Sequence, residues 1–111
     1  MKGSTAVPLA HSHCASLLEG YVTNHMPAEA IRLFKEIEDP SEVNVILLFN
    51  ACAQLGTPEA LSLVNAVSTN IPKSFFYNPR INASLLDAFI KCKDLESAHK
   101  LFATMYRSEI N

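Results

Sequence analysis

The chain has 111 residues, of which 49% are hydrophobic, and its nine basic and eleven acidic side chains give a net charge of −2. This length suits one ordinary folded domain, and the near-neutral charge excludes a global attraction to nucleic acid or to an anionic membrane. The sequence contains no run of about 18 apolar residues, so we predict neither a transmembrane helix nor a membrane partner.

The cysteines argue against a disulfide framework and against a structural zinc site. Cys14, Cys52 and Cys92 are odd in number, widely spaced and outside any CxxC motif. A reducing, intracellular compartment fits this usage. Metal-binding side chains crowd together only in the segment His11-Ser12-His13-Cys14, where two histidines separated by one residue do not share a helix face. We therefore predict no metal and no cofactor, and a flexible segment over residues 1–10.

The same helical phrase occurs three times along the chain. Residues 28–37 (AEAIRLFKEI), 58–67 (PEALSLVNAV) and 96–105 (ESAHKLFATM) place apolar side chains at the i, i+3, i+4, i+7 spacing of one helix face. Each apolar stripe opens on an alanine, and the three alanines are Ala30, Ala60 and Ala98. Three amphipathic helices are therefore predicted.

A second periodic stretch precedes each of these phrases and ends in a turn. The turns are placed at His25, Gly56 and Lys93, which are 31 and 37 residues apart. This spacing straddles the period of about 34 residues that is typical of two-helix solenoid repeats. The periodic positions of these stretches, apolar except for Asn24, are Leu17, Gly20, Tyr21 and Asn24; Leu48, Ala51, Cys52 and Leu55; and Leu85, Ala88, Phe89 and Cys92. Each unit is predicted to be a helix, a short turn and a helix.

Prolines and helix caps divide the units. Asp39-Pro40 and Asn78-Pro79 mark the unit boundaries, because proline interrupts a continuing helix and suits the first turn of the next one. Thr57 and Asp94 are predicted N-caps of second helices. The predicted units are residues 11–41, 42–78 and 79–109, and residues 110–111 would begin a further unit. The fold class is therefore all-α: an α-solenoid of about three antiparallel helical hairpins, each burying its stripe against its neighbours.

The pattern extends from about Cys14 onward through three segments, GYVTNHMPAEAIRLFKEI, EVNVILLFNACAQLGTPEALSLV and ASLLDAFIKCKDLESAHKLFATM. Together these segments resemble the pentatricopeptide repeat family. Residues 50–56 (NACAQLG) resemble its long repeat variant, and residues 91–98 (KCKDLESA) resemble its short one. Alternation of the two resembles the mixed arrays of organellar RNA-editing proteins. The resemblance implies a right-handed superhelix that binds single-stranded RNA in organellar RNA processing, modification or editing, and it suggests the mitochondrion.

Editing proteins of this type often end in a zinc deaminase domain. The chain lacks the His-x-Glu and Pro-Cys-x-x-Cys ligand motifs that such a domain needs to activate water. It also lacks a phosphate-binding glycine loop and a serine nucleophile elbow. We therefore predict that this chain is not an enzyme.

The resemblance also implies which residues face RNA bases. In the family, one reading residue lies ten positions before the turn and the other ends the unit. Here the pairs are Ala15 with Ser41, Ile46 with Asn78, and Ala83 with Glu109. The family usually has Thr, Ser or Asn at the first position, whereas Ala15, Ile46 and Ala83 have no side-chain hydrogen-bond donor. Because each repeat reads about one base, three units would bind RNA only with additional repeats.

Arg80 and Lys91 are the candidate phosphate contacts on the predicted first helices. The acids Glu19, Glu42 and Asp87 offset them, so the predicted groove is not a basic channel.

Two questions stay open at this point. The aromatic residues Phe75, Phe76 and Tyr77 could stack on bases or could pack a second helix against the next unit. The acidic balance and the apolar reading positions also favour an alternative function, a protein-binding solenoid similar to tetratricopeptide repeats. Its partner would be another protein or, by self-association, the uncapped C-terminal unit that carries Leu101, Phe102 and Met105.

Overall fold

The computed structural model describes the backbone of residues 11–110 and the side chains of residues 13–105. The predicted flexible segment, residues 1–10, lies outside the described residues. The same holds for residue 111 and for the side chains of His11, Ser12 and Glu109.

Over the described backbone, every regular element is a helix. Six α-helices follow one another, with a short 3₁₀ helix, Lys73–Tyr77, between the fourth and the fifth. The α-helices are α1 (His11–Thr23), α2 (Pro27–Lys35), α3 (Glu42–Leu55), α4 (Pro58–Asn70), α5 (Pro79–Lys91) and α6 (Leu95–Ile110). The predicted all-α fold class is confirmed. None of the described helices is long and apolar enough to cross a membrane.

Side-chain caps fix the helix starts at the predicted positions. The Thr57 hydroxyl accepts a 3.1 Å hydrogen bond from the Ala60 N–H, and Pro58 opens α4. A carboxylate oxygen of Asp94 accepts a 3.2 Å bond from the Ser97 N–H at the start of α6. These side chains satisfy backbone donors that no helical carbonyl can reach.

A left-handed residue closes each hairpin at the predicted turn. The φ angles are 58° at His25, 62° at Gly56 and 70° at Lys93. A residue in this conformation just after a helix directs its N–H back to the last helical carbonyls and reverses the chain. The Gly56 N–H, for example, bonds to the Cys52 carbonyl at 2.9 Å. One backbone conformation therefore repeats in all three hairpins, although only one of them has glycine there.

The hairpins stack in chain order. The first helix of a hairpin packs on both helices of the preceding one: α3 contacts α1 and α2, and α5 contacts α3 and α4. The molecule is elongated, with extents of 54 × 28 × 21 Å and a radius of gyration of 14.6 Å. A compact chain of this length would have a radius of gyration of about 13 Å. Stacking along one direction explains the difference, as expected for a solenoid.

The predicted stripes supply much of the core, although two of their positions outside α1, Leu55 and Phe102, are 38% and 54% exposed. Ala30, Ala60 and Ala98 are 0%, 3% and 5% exposed, so the small residue of each second helix lies inside its hairpin. In α5, Leu85, Ala88, Phe89 and Cys92 are all buried, as are Leu48, Ala51 and Cys52 in α3. The cysteines are free thiols that pack as small apolar residues.

The prediction for α1 is wrong at one position. Leu17 is 47% exposed, whereas the next residue, Leu18, is fully buried. Leu48 and Leu85 occupy the repeat position of Leu17 and are buried, at 0% and 4% exposure. The helices α3 and α5 each pack on a preceding hairpin, whereas no described hairpin precedes α1.

The aromatic cluster belongs to the 3₁₀ helix rather than to a second helix. Phe75 and Phe76 are partly buried against the core, which confirms packing as their role. Tyr77 is 89% exposed.

Candidate functional site

The first helices of the hairpins, α1, α3 and α5, form one surface with two adjoining hollows. Their volumes are about 310 Å³ and about 570 Å³. The smaller hollow is lined by Glu19, Val22, Thr23, Val43, Ile46, Leu47, Asn50 and Arg80. The larger one is lined by Val22, His25, Asn50, Ala53, Gln54, Asp87 and Lys91. Val22 and Asn50 line both hollows, so the two hollows adjoin each other. We call the two hollows together the first-helix groove.

One repeat position supplies a polar side chain to this groove in every hairpin. Glu19, Asn50 and Asp87 each lie six residues before the left-handed turn residue, and all three line the groove. The amide of Asn50 makes no hydrogen bond to any group in the described part of the chain, so it is available both as donor and as acceptor. The sequence analysis did not single out Asn50. The signal was present, because this position is polar in all three units.

A second polar position lies two residues before the turn. It holds Thr23, Gln54 and Lys91, which also line the groove. The Gln54 side-chain amide donates a 2.8 Å hydrogen bond to the Val22 carbonyl and so ties α3 to α1. Polar groups therefore follow one another along the groove at the repeat spacing.

The predicted first readers occupy three different environments. Ile46 is 8% exposed and contributes an apolar wall to the smaller hollow. Ala83 is exposed and Ala15 is half-buried, and neither lines the two hollows. The structure brings Ile46 alone into the groove, where it can contact a ligand only through apolar surface.

The predicted second readers are helix caps. The Ser41 hydroxyl accepts a 3.2 Å hydrogen bond from the Asn44 N–H, and the Asn44 side chain accepts a 2.9 Å bond from the Ser41 N–H. The Asn78 side-chain oxygen accepts a 2.9 Å bond from the Arg80 N–H at the start of α5. Glu109 lies in α6, with its side chain outside the described residues. The side-chain oxygens of Ser41 and Asn78 are therefore engaged in local structure.

Asn78 also connects two first helices. Its side-chain nitrogen donates a 2.8 Å hydrogen bond to Glu42 Oε1 in the first turn of α3. Since Glu42 follows Ser41 directly, the structure places both second readers at the end of the surface where α3 and α5 begin. At this end the Glu42 carboxylate and the Asn78 amide are already hydrogen-bonded to each other.

The two candidate phosphate contacts both line the groove. Arg80 is exposed in the smaller hollow, which it shares with Glu19. Lys91 Nζ lies 3.0 Å from Asp87 Oδ1 in an exposed pair on α5. The groove therefore carries two cations, of which one is held by a neighbouring acid.

Two buried thiols, Cys52 and Cys92, connect α3 with the end of α5. Cys92 donates an S–H hydrogen bond to the Cys52 carbonyl over 3.6 Å. Burial, and to a smaller extent the neighbouring Cys92, raises the pKa of the Cys52 thiol to about 12. A protonated thiol is a poor nucleophile and a poor metal ligand. Among the residues with described side chains, no cluster of three or more His, Cys, Asp and Glu could hold a metal ion.

Comparison with known proteins agrees with the hairpin geometry. The model of the PPR repeat family matches residues 12–39 and 84–110. Two chloroplastic pentatricopeptide repeat-containing proteins of Arabidopsis thaliana are similar: one is 27% identical over 100 residues, and the other is 28% identical over 94. The matches cover 86% and 81% of this chain but 14% and 15% of those proteins.

A mitochondrial pentatricopeptide repeat-containing protein of the same organism is 32% identical over 94 residues, which is 81% of this chain and 14% of that protein. The chain thus spans about one seventh of the length of these relatives. No solved structure matches the chain significantly. The repeat matches, the relatives and the stacked hairpins agree: the chain belongs to the pentatricopeptide repeat family.

Proposed function

We propose that this chain is a non-catalytic RNA-binding segment of a factor for organellar RNA processing, modification or editing. The observation that carries the proposal is the first-helix groove, in which Asn50, Arg80 and Lys91 line one continuous surface across three hairpins. Similarity to chloroplastic and mitochondrial relatives supports an organellar location, and the mitochondrion stays a prediction.

The groove has the parts that a single-stranded RNA ligand requires. An amide such as Asn50 can both donate to and accept from a base edge, and the two cations can meet phosphates. Apolar walls, including Val22 and Ile46, give bases a surface to lie on. Because one hairpin reads about one base, three hairpins bind about three nucleotides, and high affinity requires further repeats. The role we propose is recognition and scaffolding.

A charge-reversal experiment tests this proposal. The double variant Arg80→Glu/Lys91→Glu and a matched control, Lys35→Glu/Lys100→Glu, change the net charge equally. Lys35 and Lys100 lie exposed on second helices, and neither lines the groove. Fluorescence anisotropy with a labelled single-stranded RNA at low salt should show binding by the wild type and the control, and a large loss in the groove variant.

The salt dependence adds an independent readout. For single strands, the slope of log K against log salt changes by about 0.7 per phosphate contact. The groove variant should therefore have a shallower slope than the control. Equal affinity of both double variants would refute a groove site, and absence of wild-type binding even in a protein extended by further repeats would refute RNA binding.

A second candidate function is protein binding by the same groove. The exposed apolar surface of Val43, at 48%, and the three apolar first readers favour it, because they offer contact area without hydrogen-bond donors. Under this alternative, a Val43→Glu variant would lose a protein partner that is recovered from an organellar extract by the wild type. The extract is treated with nuclease before the pull-down, so RNA cannot bridge the chain to its partner.

A further inference from the structure

A cavity lies between the first two hairpins, beside the ends of their second helices. Its volume is about 420 Å³. One wall is formed by Phe34 in α2 and by Glu38 and Asp39 in the loop that leads to α3. The other wall is formed by the last turns of α4, including Val67 and Asn70. We call this the second-helix cavity, and it shares no lining residue with the first-helix groove.

The walls of the second-helix cavity are largely apolar. Phe34 is buried, and Val67 and Ile71 are partly buried against the core. Pro40 and Pro72 line the cavity where the chain leaves α2 and α4. Surfaces of this kind can cover the aliphatic part of a long side chain whose head is charged.

The charged groups of the cavity are all acids. Glu38 and Asp39 are exposed, and in the described part of the chain neither carboxylate forms an ion pair or accepts a hydrogen bond. None of the described lining residues is Lys, Arg or His. Two carboxylates therefore line an apolar cavity that has no basic residue in its walls.

The end of α4 adds to the negative potential independently of these acids. The last carbonyls of a helix lack helical donors and form its negative pole. In α4 no basic residue lies in the last turn, and Pro72, which follows, has no N–H to donate. Asn70 supplies a further acceptor, because its amide nitrogen bonds to the Ala66 carbonyl at 2.7 Å while its oxygen accepts no hydrogen bond from the described chain.

We propose that the second-helix cavity binds an arginine side chain of a protein partner. The occupant follows from charge complementarity. Its guanidinium pairs with the carboxylates of Glu38 and Asp39, and its remaining N–H groups donate to Asn70 and to the last carbonyls of α4. The aliphatic stem of the arginine lies along Phe34 and Val67.

Arginine suits this cavity better than the other candidate occupants. Its guanidinium is planar, has five donors and is more weakly hydrated than the ammonium group of lysine, so it loses less on entering a partly apolar site. A phosphate group is repelled by the same carboxylates, so the cavity does not suit RNA. A protein partner bound here would leave the first-helix groove open.

The equivalent hollow between the second and third hairpins has a different character. Its volume is about 560 Å³, and its lining includes Tyr77, Leu101 and Met105. The residues described in that lining include no acid. The negative charge of the second-helix cavity is therefore a property of Glu38 and Asp39 rather than of hairpin stacking as such.

An NMR titration of the isotope-labelled chain tests the proposal. The probe is an acetylated and amidated peptide of sequence Ser-Gly-Arg-Gly-Ser. It should shift the backbone amide signals of Asp39, Val67, Asn70 and Ile71 in a saturable manner and leave that of Asn50 in the first-helix groove unchanged. A peptide with citrulline, which has the shape of arginine without its charge, should cause no saturable shift, and a lysine peptide should bind more weakly.

Matched variants separate the cavity from the overall charge. Glu38→Gln/Asp39→Asn should weaken binding of the arginine peptide about tenfold, because two exposed pairs are lost. Glu59→Gln/Glu96→Gln removes the same charge from the first turns of α4 and α6, outside the lining, and should bind like the wild type.

A second pair of variants changes the space without changing the charge. Ala66→Leu enlarges an exposed side chain of the lining and should weaken binding, whereas Asn65→Leu enlarges an exposed apolar surface on α4 outside the lining and should not. Circular dichroism establishes that each variant is helical.

Four results would each overturn the proposal. They are the absence of a saturable shift with the arginine peptide, equal binding of the citrulline or lysine peptide, equal affinity of the two double variants, and shifts that map to the first-helix groove. The titration contains no RNA, and its variants lie outside that groove. Its failure would therefore leave the proposed RNA-binding function untouched.

Discussion

Asn78 Nδ2 donates a 2.8 Å hydrogen bond to Glu42 Oε1, and in doing so it joins the starts of α3 and α5. The other end of the Asn78 amide caps α5 through the Arg80 N–H, 2.9 Å away. The residue that the family resemblance assigns to base reading is thus a structural connection between two hairpins. Glu42 gains as well, because its carboxylate lies at the positive end of α3.

Replacing Asn78 separates these two contributions. Asn78→Ala removes both the cap and the bond to Glu42 and should lower the free energy of unfolding by about 2 kcal/mol. Asn78→Asp keeps a capping oxygen but replaces the donor with a second carboxylate near Glu42, so its loss should be smaller than that of Asn78→Ala. Urea unfolding of the three proteins provides the measurement. Equal stability of the alanine variant and the wild type would show that the cap and the bond contribute nothing.

At the left-handed turns, we expect two substitutions to change the free energy of unfolding in opposite directions. Lys93 has a φ of 70°, which costs a residue with a side chain about 1–2 kcal/mol, so Lys93→Gly should stabilise the protein by about 0.5–1 kcal/mol after the entropy of glycine is counted. Gly56→Ala should destabilise it by at least about 1 kcal/mol. At Gly56 the added Cβ would also lie only 3.0 Å from the Lys91 carbonyl oxygen, which is a steric clash in addition to the backbone strain.

A matched control for the turn variants is Lys100→Gly within α6. There, glycine should cost about 1 kcal/mol, because the backbone is already helical and gains nothing from its freedom. Thermal unfolding followed at 222 nm compares the three variants. A destabilised Lys93→Gly variant would contradict the turn argument.

The buried thiols predict a loss of stability at high pH. Burial, with a smaller effect of Cys92, raises the pKa of Cys52 to about 12 from an ordinary value of 9.0. The folded chain therefore holds this proton more tightly than the unfolded chain, and the stabilisation is complete below pH 9. Between pH 9 and pH 12 the unfolded chain loses the proton first, and the free energy of unfolding falls by up to about 1.4 kcal/mol per pH unit.

Cys52→Ala isolates this contribution from other groups that titrate in the same range. The variant lacks the thiol, so its urea midpoint should fall less between pH 8.5 and pH 10.5 than that of the wild type. Identical pH dependence in the two proteins would contradict a thiol with a raised pKa.

The ion pair of Lys91 predicts a gain in RNA affinity. Asp87 Oδ1 lies 3.0 Å from Lys91 Nζ in the first-helix groove, where it competes with a phosphate. Asp87→Asn should raise the affinity for single-stranded RNA by about 1.4-fold to fivefold, since an exposed pair is worth about 0.2–1 kcal/mol. Glu96→Gln is the control, because it frees Lys100 from a similar pair on α6 that does not line the groove. An equal gain in both variants would show that the charge acts globally.

The sequence carried much of the fold because the signals are local. Periodicity placed Ala30, Ala60 and Ala98 inside the hairpins, and proline with capping side chains fixed the starts of α4 and α5. Turn positions followed from the same spacing. The left-handed conformation of Lys93 could not be foreseen, because lysine does not favour it, whereas histidine, as at position 25, is one of the residue types enriched there.

The candidate site was less accessible from the sequence. Arg80 and Lys91 were found from their positions on first helices, but Asn50 was missed although its repeat position is polar in all three units. Its importance comes from α1 and α5, which place it between the two hollows. Asn78 was assigned to base reading on the resemblance alone, and only its distance to Glu42 reveals a second use of the same amide.

The sequence by itself determined helices, turns and the inward residues of each hairpin, because these depend on interactions between residues a few positions apart. The tertiary structure decided which equivalent positions are buried, as Phe34 and Phe102 demonstrate. Both residues occur in the same phrase, LF, yet Phe34 is 7% exposed and Phe102 is 54% exposed. Burial depends on neighbours that a local pattern does not contain, and this is why the groove appears only when the hairpins are stacked.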